Sequence, residues 1–196
     1  MRTPYSKADK VIAYLNRQYG KYFRSVRSFD ELNVIQVSHE IYEKIYTLVE
    51  KEATRLASAV YKDYNSEKGS TFDAAAFVLL MLMAYNPVTK YVFKNELDRK
   101  RSRFAESLIA SETPVEDMAL AKRLVAAMNA QFMDDITFEV MVKAFEDKGV
   151  ERVRWFTHPD DKRCKTCKDR HGKIYPIHKI PSKPHIHCRC WVEEVK

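Results

Sequence analysis

Four cysteines near the C-terminus have a spacing that is typical of a metal site. Cys164 and Cys167 form a C-x2-C pair, and Cys188 and Cys190 form a C-x-C pair further along the chain. Structural zinc sites have four tetrahedral ligands, and paired cysteines allow each half of the site to present two sulfurs to one ion. Residues i and i+2 of a strand point to the same face, so the C-x-C sulfurs could also meet one ion. The spacing therefore predicts a structural Zn²⁺ held by the four cysteines.

Histidines in the same stretch are alternative ligands, because imidazole also binds zinc. His185 is the best substitute for one cysteine, since it follows a predicted turn at Lys183-Pro184 and closely precedes Cys188. Two disulfides or free buried thiols are the other interpretations of the cysteines. The N-terminal residues lack the apolar stretch of a secretory signal, so we expect a reducing cytoplasm, which favours thiols or metal ligands over disulfides. The four histidines of the stretch are His171, His178, His185 and His187.

The same residues provide little for catalysis. His185 and His187 beside cysteines suggest a zinc deaminase or a His-Asn-His nuclease, but the deaminase pattern H-x-E followed by P-C-x-x-C is absent. A catalytic zinc keeps one coordination position open beside a general base, and four cysteines would leave no such position. No glutamate lies between Glu151 and Glu193, although three aspartates remain, and the chain has no glycine-rich phosphate loop. We therefore expect no enzymatic activity. The three aspartates are Asp160, Asp161 and Asp169.

A helical body is predicted to precede this segment, over residues 1–150. A content of 45% hydrophobic and 31% charged residues is typical of a globular chain. The four glycines, at positions 20, 69, 149 and 172, lie where the hydrophobic pattern breaks, with Gly149 placed as a helix C-cap. Two stripes at helical spacing predict core-facing helices. The first stripe is Tyr42, Tyr46, Val49, Ala53, Leu56 and Val60, and the second is Met118, Ala121, Val125, Met128 and Phe132.

Several breaks and biased runs complete the predicted body. Asp134-Asp135 is interpreted as a polar interruption, after which a new helix carries Phe138, Met141 and Phe145. The apolar run from Ala74 to Tyr85 is interpreted as a buried helix, because a membrane span needs about 20 residues. A polar helix should follow from Val88 to Ser111, and its cationic run at positions 99–103 is interpreted as a solvated face that Glu96 and Asp98 partly balance.

The C-terminal segment differs from the body in residue pattern and carries most of the positive charge. Val153, Trp155 and Thr157 alternate like a short strand, and four of the seven prolines follow, so we expect little apolar core and a dependence on metal for order. Residues 151–196 contain 12 Lys and Arg against 6 Asp and Glu, which is +6 of the net charge of +7. A zinc ion with four thiolates would lower the charge of this segment to about +4. That charge suits contact with an acidic protein surface or with phosphates.

The sequence from Trp155 onward resembles the C-terminal signature of Mu F-like phage head morphogenesis proteins. The family pattern is D-x-x-x-C-x-x-C, a following H-G or D-G, and a closing H-x-x-C-R-C. Residues 159–167, 171–173 and 184–190 carry the likeness, which extends more weakly upstream to cover about residues 115–191. His187 stands where the family commonly has asparagine, and Leu124-Val125 stands where it often has Thr-Glu. Neither departure removes a proposed zinc ligand.

This resemblance implies a minor head (capsid) protein of a tailed phage or prophage. Such a protein would be portal-associated and would act in head assembly or DNA delivery, in the virion head near the portal and in the host cytoplasm during assembly. Its partners would be the portal and other capsid proteins, with DNA as a further partner of the basic tail and no membrane. The expected fold is mainly α, with a helical N-terminal body over 1–114 and a Mu F-like region over 115–196 that ends in a small α+β zinc-closed segment. The alternative is a zinc-dependent nucleic-acid-binding module or a metal-dependent nuclease.

Overall fold

The computed structural model describes residues 4–26, 29–66, 71–158 and 163–195. It is mainly helical, with a small antiparallel sheet near the C-terminus, which confirms the expected fold class at that level. Gly69 and the signature residues 159–162 lie outside the described residues. Within the described part of the chain, no helix combines the length and apolar character needed to cross a bilayer.

The described residues form six α-helices and five short strands. The helices are α1 (Ser6–Phe23), α2 (Glu31–Tyr64), α3 (Ala74–Met83), α4 (Phe93–Ile109), α5 (Pro114–Asp147) and α6 (Lys165–Arg170). The strands are β1 (Tyr85–Asn86), β2 (Tyr91–Val92), β3 (Arg152–Phe156), β4 (Ile174–Pro176) and β5 (Trp191–Glu194). The pair β1–β2 is a hairpin, and the second sheet has the order β4-β3-β5 with both pairings antiparallel.

The two long helices, α2 and α5, form the centre of the body, and α1 and α4 pack against both. The α2 helix begins where the Asp30 side chain accepts a hydrogen bond from the Asn33 N–H, which satisfies a donor of the first turn. Both predicted stripes are confirmed as core faces. Only Tyr46 and Met118 of these stripes remain half-buried.

The apolar run after Asp73 was predicted to be a buried helix, and this prediction is wrong for one face of α3. Ala74, Val78 and Leu82 are buried, at the spacing of one helical stripe. Leu80 and Met83 are 70% and 53% exposed. The run is apolar on all sides of the helix, whereas the body covers only one side, so the remaining apolar surface faces solvent.

The interruption predicted at Asp134-Asp135 does not exist, because α5 is continuous through both residues. An aspartate in a helix interior costs at most about 0.7 kcal/mol of propensity. Both side chains are buried, and cations from the C-terminal segment pair with them. The predicted end is confirmed: Gly149 follows the helix with φ 74°, and its N–H donates to the Glu146 carbonyl. Gly20 departs from its prediction, because it lies inside α1.

The polar helix predicted to begin at Val88 begins at Phe93, since the residues before it form the β1–β2 hairpin. The Asn86 side chain accepts hydrogen bonds from the Val88 and Thr89 N–H groups, which stabilises the turn. The interpretation of residues 99–103 as a balanced helix face holds at its first two positions. Arg99 and Lys100 both form ion pairs with Glu96.

The segment after Gly149 shares the core of the body, contrary to the expectation that it has little apolar core. Val153 and Trp155 on β3 are fully buried, as the alternation predicted, and Trp155 pairs in register with the buried Val192 on β5. The Trp155 ring lies 5.7 Å from that of Phe138 on α5, measured between centroids. The small sheet is therefore attached to the body through aromatic packing.

Candidate metal centre

The first half of the cluster lies at the start of the short helix α6. Cys164 is the residue that precedes α6, and Cys167 lies in its first turn. The Cys164 Sγ accepts a hydrogen bond from the Cys167 N–H, with 3.3 Å between the two atoms. A sulfur in this position satisfies a free N–H of the first helical turn.

The second half of the cluster lies on irregular chain just before β5. Cys188 and Cys190 were predicted to share a strand face, but β5 begins only at Trp191, so that reasoning is wrong. A turn brings the residues together instead: the Cys188 N–H donates to the His185 carbonyl, and His187 has φ 56°. Both sulfurs nevertheless approach Cys167 on the other half of the site.

The Cys167 sulfur is the centre of the cluster. It lies 3.3 Å from the His185 Nε2, 3.4 Å from the Cys190 Sγ and 3.8 Å from the Cys188 Sγ. Zn–S and Zn–N bonds of about 2.3 and about 2.05 Å give tetrahedral edges of about 3.8 Å between two sulfurs and about 3.6 Å between a sulfur and a nitrogen. The three observed separations are therefore close to the edges of such a tetrahedron.

Two groups of three donors meet at Cys167. One group adds Cys164 and His185, and the other adds Cys188 and Cys190, with the donor atoms of each group within 4.8 Å of one another. The structure thus brings together all five residues that the sequence singled out. Neither group, among the described residues, includes His171, His178 or His187.

The ring orientation of His185 suits a metal ligand. Its Nδ1 lies 2.8 Å from the Ile186 carbonyl oxygen, which can only accept a hydrogen bond, so Nδ1 carries the proton. The lone pair of the neutral ring is then on Nε2, the atom that faces Cys167. A hydrogen bond from the other ring nitrogen fixes the tautomer in this way in metal-ligating histidines generally.

Burial and mutual hydrogen bonding make the sulfurs inequivalent. Cys167, Cys188 and Cys190 are buried, whereas Cys164 is half-buried, and all four are free cysteines. The hydrogen bond from Cys190 lowers the pKa of Cys188 to about 6, and the same bond raises the pKa of Cys190. Burial raises the pKa of Cys167 to about 12. The cluster therefore accommodates one thiolate readily, and further thiolates need a cation beside them.

An ion-pair network joins this cluster to helix α5. The Lys183 Nζ donates to the Asp134 carbonyl at 2.8 Å and lies 3.2 Å from the Asp135 carboxylate. Arg189, between the last two cysteines, pairs with the carboxylates of Asp134 and Asp9. These partners escaped the sequence reasoning, which took the two aspartates for a break. The available signal was a charged pair inside an apolar helical stripe, which needs cationic partners if it is buried.

Two uncharged hydrogen bonds complete the attachment. The Tyr5 hydroxyl donates to the Cys190 carbonyl at 2.6 Å, across the whole length of the chain. The His187 N–H donates to the side-chain carbonyl of Gln131 on α5. Among residues other than glycine, asparagine adopts positive φ most easily, and histidine is also enriched there. The positive φ of His187 is therefore one that asparagine would adopt more easily.

A cavity of about 340 Å³ opens beside the cluster. No carboxylate belongs to the described residues that line it. The lining residues are Thr157, His158, Arg163, Cys167, His185, His187, Cys188, Arg189 and Cys190.

Comparison of the chain with protein-family models, with curated proteins and with solved structures found no match. The likeness to Mu F-like proteins therefore rests on the sequence signature.

Proposed function

We propose that the cluster is a structural zinc site that orders the C-terminal segment against the helical body. A donor set of thiolates and one imidazole suits zinc, whereas magnesium and calcium prefer oxygen. Cys167, Cys188 and Cys190 are three of the ligands, and either Cys164 or His185 supplies the fourth. Four protein ligands close the coordination sphere, so the site has a structural role and the chain is not an enzyme.

We further propose that the chain is a minor head protein of a tailed phage or prophage. One observation carries this proposal: the four cysteines of the Mu F-like signature and His185, the histidine of its closing H-x-x-C-R-C, lie in a single cluster, although the two halves are far apart in sequence. The presence of these five residues in one signature is explained by one requirement, the binding of an ion. On this proposal the protein is portal-associated, lies in the virion head, and acts in head assembly or DNA delivery.

Co-purification tests the assembly role directly. The chain should be co-expressed with the portal protein of the same phage genome, and purified particles should be searched for it by mass spectrometry. We expect a complex that survives size-exclusion chromatography and a few copies of the chain per particle. A chain that neither binds the portal nor occurs in particles would contradict the proposal.

DNA is the second proposed partner, through the basic tail, and it also separates this proposal from a nucleic-acid-binding module. Lys183 and Arg189 are already paired with carboxylates of the body, which reduces the positive charge available for phosphates. A module built to bind DNA should show an affinity that falls steeply with salt, because phosphate contacts release counterions. For this chain we expect the affinity for DNA to fall only slightly with salt, as a few phosphate contacts would produce. Metal-dependent cleavage of DNA would favour the nuclease alternative.

A further inference from the structure

A second concave site lies next to the metal centre, with a volume of about 210 Å³. It is formed by the β1–β2 hairpin, helix α5 and the chain around Lys183, and His185 lines both this groove and the cavity beside the cluster. We name it the hairpin groove. Its polar lining includes Asn86, Tyr91, Gln131, Asp135, Glu139 and Lys183.

The walls and the rim of the hairpin groove are apolar. Met81, Val88 and Phe132 line it, and Tyr85 stands at its rim with 61% of its surface exposed. The apolar surface continues outside the groove, because Leu80 lies one helical turn before Ala84, a lining residue. The site therefore offers apolar surface both inside and beside the groove.

The charged lining of the hairpin groove is acidic on balance. Asp135 is compensated there, since it pairs with Lys183 and accepts hydrogen bonds from the side-chain amides of Asn86 and Gln131. Lys183 is the only Lys or Arg in the described lining. The described lining therefore contains one lysine and two carboxylates, Asp135 and Glu139.

Glu139 differs from Asp135 in its contacts. Within residues 4–26, 29–66, 71–158 and 163–195, no ion pair or hydrogen bond engages its side chain. Its side chain is exposed to solvent and lines the groove, while desolvation by the surrounding protein still raises its pKa, which the charge of Lys183 lowers and the charges of Asp135 and Glu146 raise. Lys183 is already paired with Asp135, so the negative charge of Glu139 would be stabilised by a further cation.

We propose that the hairpin groove binds an arginine or lysine side chain that a partner protein presents between apolar residues. The basic group would pair with Glu139, and the tyrosine rings of Tyr85 and Tyr91 would contact its stem and its charged face. Apolar neighbours in the partner would cover the exposed Leu80 and Met83. The carboxylates in the lining repel phosphates, so the occupant is a protein segment and not a nucleic acid. This inference does not depend on the phage assignment.

The test uses capped arginine, N-acetyl-arginine amide, as the probe and the zinc-loaded full chain as the receptor. Nuclear magnetic resonance can follow the side-chain amides of Asn86 and Gln131, which line the groove. We expect a saturable shift of both amide signals. Capped citrulline, which has nearly the same shape without the charge, should cause no shift. A titration with capped lysine will show which of the two cations binds more tightly.

Matched glutamate variants on α5 control for charge. Glu139→Gln should weaken binding of capped arginine by about tenfold or more, since a charge-assisted hydrogen bond contributes about 1.5–3 kcal/mol. Glu116→Gln, an exposed change in the first turn of the same helix, should leave binding unchanged. The proposal fails if capped citrulline binds equally, if Glu139→Gln and Glu116→Gln behave alike, or if no saturable shift occurs. Shifts of the same amides by a DNA duplex would also overturn it.

Discussion

Replacement of Lys183 by methionine should separate the C-terminal segment from the body. The Lys183 side chain is 6% exposed, and its ammonium reaches both the Asp134 carbonyl and the Asp135 carboxylate. Methionine keeps much of the side-chain volume over the Tyr5 and Phe138 rings but leaves a buried carboxylate without its cation. Such a loss costs about 3–5 kcal/mol. Because two amides still donate to Asp135, we expect the lower end, about 3 kcal/mol.

Urea unfolding at saturating zinc measures this effect with two probes. Both tryptophans of the chain, Trp155 and Trp191, are buried in the C-terminal segment, so their fluorescence reports on that segment while circular dichroism reports on the helices. The control is Lys143→Met, which breaks an exposed pair with Asp147 and should cost less than about 1 kcal/mol.

Combination of Lys183→Met with Asp135→Asn should cost less than the sum of the two single changes, since the second removes the orphaned charge. An unfolding free energy of Lys183→Met within about 0.5 kcal/mol of the parent protein, the scatter of ordinary surface changes, would refute the reasoning.

Three further predictions concern pH, backbone conformation and metal removal. Burial raises the pKa of the Asp134 carboxyl to about 6, although Arg189 and Lys183 lower it. The folded state therefore binds the carboxyl proton more tightly than the unfolded state does, and the parent protein loses stability as pH rises through 6. Asp134→Asn should therefore gain up to about 3 kcal/mol relative to the parent between pH 4 and pH 7 in urea unfolding, and a constant difference would contradict this. His187→Asn should leave the melting temperature of the protein unchanged or higher, whereas His187→Val should destabilise the folded state by about 1–3 kcal/mol. Equal melting temperatures of these two variants would argue against the positive φ at this position. Chelation should expose residues 151–196, including α6, to protease while helices α1–α5 survive, because zinc contributes about 10 kcal/mol in small sites of this kind. An unchanged digestion pattern would mean that the segment folds without metal.

Patterns that depend on one element were predictable from the sequence. Helix stripes and the strand at Val153 and Trp155 follow from residue spacing alone, because the apolar face of an element must be buried whatever it packs against. The five donors at the cluster were identified in the same way. Ligand types and pair spacing constrain a metal site even when the path of the chain between the pairs is unknown.

Features that depend on two distant elements were not predictable. Asp134 and Asp135 look like a helix break until Lys183 and Arg189 are placed beside them. The exposed face of α3 could not be anticipated either. An apolar run shows how much of the helix surface is apolar, but not how much of that surface the helical body buries. The hairpin before Phe93 depends on the Asn86 side chain, whose role in a turn is visible only once the helix boundary is known.

Metal content and ligand count, measured together by native mass spectrometry, test the central claim most directly. The protein purified from zinc-supplemented culture should carry close to one zinc per chain, and Cys167→Ser should abolish binding because both donor groups meet at this sulfur. Cys164→Ser and His185→Ala then identify the fourth ligand, since only one of them should lose most of the metal. A folded, metal-free chain with four titratable thiols, or with two disulfides, would contradict the claim.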